Sequence, residues 1–313
     1  MRRVLTTLLC CTICFMVHAQ IVGYEALLLN RTKSGHYAFH TMLNQQIPTS
    51  VMIESGISKA LIDSAFLFTH VKHLQLKVRN NDMNKELNLG GTVYRISHIA
   101  EGTLQFGTAV YKGQILVLAN YRDETEITIP IQMLTHSADW GSRIVMLDLS
   151  KGYLKMLTRN ELRNDWANTM KLRINRRTYE RMPALRTPIT FKVGGNDIVL
   201  QGNFNLDLGN PMPLYLRSQS DIVKEMLAGN PQLQLLVASN QQSRATVKAF
   251  VADDCRIAGK PLGRATICIL DQLRRFTTDG LIGLPFFMHR TVVFDFENND
   301  LYIRDHEERD NLQ

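Results

Sequence analysis

The chain has 313 residues, of which 45% are hydrophobic and 21% charged, and its formal net charge is +7. This is an ordinary globular composition, sufficient for one large core or two modest ones, and it excludes a low-complexity chain. The basic residues are not interleaved with aromatic side chains as a nucleic-acid surface requires, so we expect no nucleic-acid partner.

The first twenty residues have the layout of a secretory signal. Arg2 and Arg3 precede an apolar run over residues 4–17, and the small residues that follow predict a cleaved signal peptide of residues 1–19. The run is short for a membrane span, although an uncleaved anchor remains an alternative. No later stretch is apolar enough to cross a membrane. We therefore predict an exported protein, periplasmic or extracellular, with no stable membrane insertion.

An acid follows an apolar strand at two places in the chain. In IPTSVMIESGISKALI the strand ends at Glu54, and Gly56 lies two residues further on. In GNFNLDLGNPMPLYL the same layout places Asp207 and Gly209 at an offset of 153. Such an acid can cap a turn, or it can hold a carboxylate at the mouth of a cleft. The second copy favours the cleft.

Between and beyond these acids the hydrophobic pattern is mainly β, because apolar residues alternate with polar ones. Turns are expected at Glu101-Gly102, at Lys112-Gly113 and in a hairpin through Gly194-Gly195-Asn196. The second strand of that hairpin delivers Asp207.

A strand–turn–strand unit is also written twice. SRIVMLDLSKGYLKM and HRTVVFDFENNDLYI share this layout, and Asp148 matches Asp295 at an offset of 147. We expect each of these carboxylates to pair with amides of the turn that follows. Repetition of both units in the same order indicates two related halves.

A charged segment joins the two halves. In RNELRNDWANTMKLR, the four-residue spacing of Leu162, Trp166 and Met170 predicts a helix, and two prolines close the segment. The expected divisions of the mature chain are a first lobe, a linker and a second lobe, at residues 20–158, 159–187 and 188–313.

Two cysteines, Cys255 and Cys268, remain once the signal is removed. Two thiols in an oxidising compartment favour one disulfide. A hairpin turning at Lys260-Pro261-Leu262-Gly263 would place them opposite each other, so we predict a bridge. Two buried free thiols are the alternative.

The duplicated acid-x-Gly segments resemble the loops of pepsin-like and retropepsin-like aspartic peptidases, in which each lobe or subunit supplies one Asp-Thr/Ser-Gly loop. In TDGLIGLPFF, Leu281-Ile282-Gly283 resembles that superfamily's apolar-apolar-Gly element, where only glycine allows a strand to approach the acid loop closely. The resemblance covers most of residues 35–305. It implies an all-β fold of two pseudo-symmetric β-barrel lobes with a cleft between them.

The resemblance also implies a catalytic pair, Glu54 and Asp207, which would share a proton and activate water. Glu54 stands where the superfamily has Asp, and its extra methylene moves the carboxylate by about 1.5 Å. Ser55 retains the hydroxyl that bonds across to the opposite loop, whereas Leu208 cannot. The first half also lacks a good match to the apolar-apolar-Gly element, since the stretch SADWGSRIV is too short.

A hairpin flap is implied over residues 90–107, with Tyr94 as the residue that closes over substrate. A half-buried strand tyrosine is the alternative. The substrate-binding residues implied by the resemblance are Ser55, Gly56, Gly209, Tyr94, Ile282 and Gly283.

Three functions remain open on the sequence. The first is an endopeptidase active at acidic pH, and the second is a catalytically inactive pseudo-peptidase that binds peptides or acts as an envelope scaffold. The third is an unrelated β-rich secreted protein whose acids only cap turns. We expect no cofactor and no metal, since His70 and His73 have no acid partner nearby. With both lobes in one chain, we expect a monomer acting on a peptide or protein substrate.

Overall fold

The computed structural model describes residues 26–81, 85–89, 92–119, 121, 124–175, 182–231, 233–240, 245–271 and 276–306. The predicted signal peptide, residues 1–19, lies outside the described residues, as do Gly90 and Gly91 at the start of the predicted flap. None of the described helices has the length and apolarity to span a bilayer.

The fold is mostly β-sheet, with 57% in strands and 13% in helices, which confirms the predicted all-β class. The strands of the first half are β1 (Leu27–Arg31), β2 (Tyr37–Leu43), β3 (Ile47–Glu54), β4 (Ala60–Asp63), β5 (Lys77–Asn80), β6 (Glu86–Leu89), β7 (Thr92–Phe106), β8 (Ala109–Ala119), β9 (Ile127–Pro130), β10 (Leu134–His136), β11 (Ile144–Asp148) and β12 (Tyr153–Leu157). Those that follow are β13 (Met170–Asn175), β14 (Ala184–Val193), β15 (Asn196–Leu206), β16 (Leu214–Arg217), β17 (Leu236–Asn240), β18 (Ala245–Ile257), β19 (Lys260–Leu270), β20 (Gly280–Ile282), β21 (Arg290–Asp295) and β22 (Asp300–Asp305).

The described helices are short, and each follows a strand. They are α1 (Ser64–Leu74), α2 (Arg159–Trp166) and α3 (Asp221–Gly229). A capping box starts α2, because the Thr158 side chain accepts the amide of Glu161 and the Glu161 carboxylate accepts the amide of Thr158. The helix predicted through Met170 ends earlier than expected, since Met170 begins β13 and pairs with Ile303. Residues 159–187 therefore contribute a strand to a sheet as well as a helix.

The strand that carries each acid has the same neighbours in both halves. In the first half, β3 runs parallel to β9, and Ile53 pairs with Ile129. In the second half, β15 runs parallel to β20, and Leu206 pairs with Ile282. Both pairs differ by the offset of 153 that relates the two acids. The strands after the acids also match, since β4 and β16 each lie between an antiparallel and a parallel neighbour.

One antiparallel sheet contains strands from both halves, in the order β1-β12-β11-β21-β22-β13. At its centre, Ile144 pairs with Asp295 and Asp148 pairs with Thr291. The offset of 147 relates Asp148 to Asp295 and Ile144 to Thr291. Ile144 thus pairs with the counterpart of Asp148, and Asp148 pairs with the counterpart of Ile144. The two copies of the strand–turn–strand unit therefore meet in a reciprocal register.

The turn between β7 and β8 is not where the sequence predicted turns. Gly102 and Gly113 pair with each other in the middle of the ladder, and the chain reverses after Phe106, where Gly107 has φ 58°. Two glycines that pair on neighbouring strands can lie within a continuous ladder, so these glycines do not mark turns. The hairpin through Gly194-Gly195-Asn196 is confirmed, because Val193 pairs with Asn196.

The predicted disulfide is wrong. Cys255 and Cys268 are free and buried. In the β18–β19 ladder, Cys255 pairs with Gly263 and Cys268 pairs with Ala249. The hairpin turns at residues 258–259 rather than at 260–263, so the two thiols lie on rungs far apart along the ladder. A disulfide requires α-carbons within about 7 Å.

Candidate active site

Both acids lie at the ends of buried strands. The apolar side chains of Ile53 and Leu206 point into the core, with exposures of 1% and 0%. Because successive side chains of a strand alternate in direction, the next residues, Glu54 and Asp207, point away from that core. Each carboxyl group is partly exposed.

The two acid loops meet. Oε1 of Glu54 accepts the backbone amides of Ser55 at 2.7 Å, Gly56 at 2.9 Å and Gly209 at 3.0 Å. The amide of Gly209 also donates to Oδ1 of Asp207 at 3.1 Å. One backbone N–H is therefore shared by carboxyl groups from segments 153 residues apart.

The electrostatics of the pair favour a proton on Asp207. Its pKa is raised well above the ordinary value, first by burial, then by the charge of Glu54 and by a hydrogen bond between the two side chains. The amide of Gly209 opposes this shift. A carboxyl group whose pKa is raised in this way keeps its proton at a pH where an ordinary aspartate has lost it.

The Ser55 hydroxyl crosses between the loops. It donates to the carbonyl of Leu206 at 2.9 Å and accepts the amide of Leu208 at 2.9 Å. This confirms the cross-loop bond expected of Ser55. Leu208 occupies the matching position of the other loop, is 2% exposed and has no hydroxyl to return the contact. Only the first loop therefore contributes a side-chain hydroxyl to the contacts between the described acid loops.

Both loop glycines leave room for the acids. A β-carbon at Gly209 would lie 2.0 Å from Oε2 of Glu54, and one at Gly56 would lie 3.0 Å from Oδ1 of Asp207. A side chain at either position would press on the carboxyl group supplied by the opposite half.

Ile282 and Gly283 lie against the Asp207 loop, as predicted. The amide of Asp207 donates to the carbonyl of Ile282 at 2.9 Å. A β-carbon at Gly283 would lie 2.0 Å from the carbonyl oxygen of Met212. The φ of Gly283 is −98°, which any residue can adopt, so glycine is required here for space alone.

The first half does contain a counterpart of that element, although the sequence analysis looked for it in the wrong segment. Thr128 and Ile129 pair with the Glu54 strand as Leu281 and Ile282 pair with the Asp207 strand. Pro130 stands at the position of Gly283. Because proline replaces glycine there, the match is not found by comparing residue types. Applying the repeat offset of 153 to residues 281–283 would have found it.

Gln132 was missed as well. Its side-chain amide donates to the carbonyls of Ile57 at 2.6 Å and Ser55 at 3.2 Å, and the residue is 1% exposed. In the second half, the backbone amide of Leu284 holds the matching carbonyl of Asn210 at 2.7 Å. A side chain thus fastens the first acid loop where the main chain fastens the second.

Tyr94 lies on β7, in a hairpin with β6. Its ring centre is 5.5 Å from that of Tyr121, and both rings belong to an apolar cluster that includes Ile57, the residue after the first acid loop. The structure therefore brings Tyr94 beside this loop, in a partly exposed position.

Tyr215 on β16 was not singled out by the sequence. It pairs with Leu281 on one side and Cys268 on the other. Its pKa is raised, first by burial and then by the charges of Cys268 and Asp207.

The described residues were also searched for surface cavities and for groups of metal-binding side chains. Surface cavities of about 460 Å³ and 440 Å³ are lined by residues that include Trp166 and Met288 respectively, and neither is lined by Glu54 or Asp207. Within the described ranges, no three His, Cys, Asp or Glu side chains are grouped so as to hold a metal ion.

Comparison with known proteins does not assign the chain to a family. No protein-family model matches the chain, and no curated protein matches it either.

Proposed function

We propose that this chain is an exported hydrolase resembling the aspartic peptidases, in which Glu54 and Asp207 together cleave peptide bonds. The observation that carries the proposal is the shared amide of Gly209, which donates to both carboxyl groups at 3.0 and 3.1 Å. Acids that only cap local turns would bond to their own loops, whereas Glu54 bonds to both loops.

The repeated sheet pairings support two pseudo-symmetric lobes of the pepsin-like and retropepsin-like type, with a cleft between them. Each acid strand runs parallel to an equivalent strand of its own half, β9 beside β3 and β20 beside β15. The central sheet joins β11 and β21 in a reciprocal register. A two-fold relation of this kind would bring matching loops together. We place the lobes on either side of the segment at residues 159–187.

In the proposed reaction the two acids have different roles. Asp207, with its raised pKa, holds the shared proton and donates a hydrogen bond to the carbonyl oxygen of the peptide. Glu54 acts as the carboxylate and takes a proton from the attacking water as the carbon–oxygen bond forms. Glu54 then passes that proton to the nitrogen as the oxyanion collapses to a carbonyl and the carbon–nitrogen bond breaks. This releases the amine and the acid product and leaves Asp207 with its proton. The amides at Oε1 fix Glu54 in place for this step.

A second function, peptide binding without catalysis, is favoured by one observation. Leu208 is buried and lacks a hydroxyl, so it cannot return the side-chain contact that Ser55 makes to the opposite loop. Looser loops with a glutamate in place of aspartate can retain a cleft and lose the alignment that catalysis needs, since a misplacement of about 1 Å can cost about a hundredfold in rate.

The test is a peptide-hydrolysis assay of the purified chain on mixed peptides from about pH 3 to about pH 7, with peptide retention measured in parallel. The variants are Asp207→Asn and Glu54→Gln, which keep side-chain shape and remove charge. Asp197→Asn, at a position with 78% side-chain exposure, is the matched control.

Hydrolysis that is lost in both site variants and kept in the control supports the peptidase. Hydrolysis that persists in Asp207→Asn excludes the pair as the catalytic group. Retention of peptides by all variants with no cleavage by any supports the binding module instead.

A further inference from the structure

The side chain of Tyr215 lies in one row with that of Asn205, which is on the strand that presents Asp207. Asn205 pairs with Leu281, Leu281 with Tyr215, and Tyr215 with Cys268. Side chains in register on neighbouring strands point to the same face of a sheet. Asp207 follows Asn205 by two positions, so alternation directs it to that face too.

The surroundings of the Tyr215 ring are apolar. The ring packs with Leu281, Met182, Leu270 and Phe276 and stays partly exposed. Among the residues that the structure describes, none forms a hydrogen bond with this hydroxyl. A tyrosine half-buried in an apolar cluster ordinarily directs its hydroxyl to a partner.

The matching strand position in the first half is apolar. Leu61 pairs with Thr128 on β9 as Tyr215 pairs with Leu281 on β20. Leu61 is 2% exposed and belongs to the apolar cluster that contains Tyr94. At this strand position the repeat therefore places a hydroxyl in the second half and an apolar side chain in the first.

We propose that Tyr215 is a specificity-determining residue, whose hydroxyl donates a hydrogen bond to the side-chain amide of an asparagine or glutamine in a bound peptide. This rests on the proposed function, since it takes the face around Asp207 as the peptide-binding surface. Bound apolar side chains would leave the hydroxyl without a partner, which costs affinity. A carboxylate would meet the negative charge of the acid pair, so a neutral acceptor fits best.

The test compares Tyr215→Phe, which removes only the hydroxyl, with Tyr302→Phe on β22 as the matched control. Fluorescent peptides carry one glutamine stepped through a fixed sequence, with methionine or glutamate replacing it at each position. Binding is measured on an Asp207→Asn background, where hydrolysis does not interfere, and kcat/KM is measured on the native background.

We expect a preference for glutamine over methionine at one position, reduced by about three- to tenfold in Tyr215→Phe. The control keeps the preference. An unchanged preference in Tyr215→Phe, a stronger preference for glutamate, or no peptide binding at all would each overturn the assignment.

The two proposals fail in different ways. Binding with a Tyr215-dependent preference but no hydrolysis by the native chain refutes the peptidase and supports Tyr215. Hydrolysis with the same selectivity in Tyr215→Phe supports the peptidase and refutes Tyr215.

Discussion

Gly209 donates its backbone amide to Glu54 at 3.0 Å, although the two residues are 155 positions apart in the chain. The same glycine also leaves the space that the Glu54 carboxylate occupies, since a β-carbon there would lie 2.0 Å from Oε2. Gly56 is less crowded, because its β-carbon would lie 3.0 Å from Asp207. The two glycines match in the repeat, but the longer side chain of Glu54 makes Gly209 the tighter of the two.

Gly209→Ala should therefore damage the proposed activity far more than Gly56→Ala. The methyl group must displace the Glu54 carboxylate, and we expect a loss of about a hundredfold or more in kcat/KM, as for a misplacement near 1 Å. Gly56→Ala requires a shift of a few tenths of an ångström and should cost much less. Circular dichroism checks that both variants are folded, and equal losses in the two would contradict the geometry.

Ser55→Ala removes the contacts that tie the loops together. The amide of Leu208 and the carbonyl of Leu206 lose their buried hydroxyl partner, so we expect the free energy of unfolding to fall by about 2 kcal/mol. Urea denaturation measures it. Ser34→Ala, whose hydroxyl bonds to Thr32 at the surface, should change stability by less than about 0.5 kcal/mol. A similar small change for Ser55→Ala would show that the loops are held by other contacts.

The sequence predicted the acid pair because both loops keep the same local pattern. Glu54 and Asp207 each end an apolar strand two residues before a glycine, and this pattern survives the replacement of Asp by Glu and of a hydroxyl residue by Leu208. The all-β class followed from alternation alone. Both signals are local in the chain.

The failed predictions depended on register or on contacts between distant segments. The disulfide failed because the hairpin between Cys255 and Cys268 turns about three residues earlier than expected and its ladder contains a register shift. Pro130 was missed because residue type differs where backbone position is kept. Gln132 acts through carbonyls 75 and 77 positions away, and a single glutamine in the sequence gives no sign of that.

The raised pKa of Asp207 predicts how stability changes with pH. The folded state holds a proton that the unfolded state releases at lower pH, so the stability this group contributes is present at acidic pH. It is lost as the pH rises through the folded-state pKa, where both carboxyl groups become charged. Asp207→Asn should therefore be more stable than the native chain at neutral pH, and the difference should shrink on acidification.

Thermal unfolding at a series of pH values measures this difference without a substrate. Asp197→Asn should follow the native chain throughout, since Asp197 is exposed. If Asp207→Asn were no more stable than the native chain at neutral pH, the two carboxyl groups would not repel each other in the folded protein.

Asp148 should show the opposite dependence. Burial raises its pKa, but hydrogen bonds from Thr291, Lys151 and Ser150 and the charge of His306 outweigh burial, and the net shift is downward. Its stabilising contribution is present above the unfolded-state pKa and is lost as the pH falls through the depressed value. Asp148→Asn should therefore be less stable than the native chain at neutral pH, with the gap closing in acid.

Denaturation curves at neutral and strongly acidic pH measure that gap. Asp221→Asn, whose side chain is 88% exposed, serves as the control and should change stability little at either pH. A gap that stays constant with pH would mean that the charge of Asp148 contributes nothing and that only its shape matters.

Glu54→Asp is the sharpest test of how this site uses a glutamate. In aspartic peptidases, aspartate is the expected residue at the position of Glu54. A peptidase site that had lost activity through the change to glutamate should therefore gain activity in Glu54→Asp. The structure predicts the reverse. Shortening the side chain withdraws the carboxylate by about 1.5 Å, and the bond to Gly209 across the loops is then lost.

We expect Glu54→Asp to lower kcat/KM by about a hundredfold while keeping some hydrolysis, since its charge remains. Glu54→Gln, which keeps the length and removes the charge, should abolish it. If Glu54→Asp instead raised kcat/KM, the native glutamate would be a poorly positioned replacement for aspartate in a site that has lost activity. That result would favour the peptide-binding function.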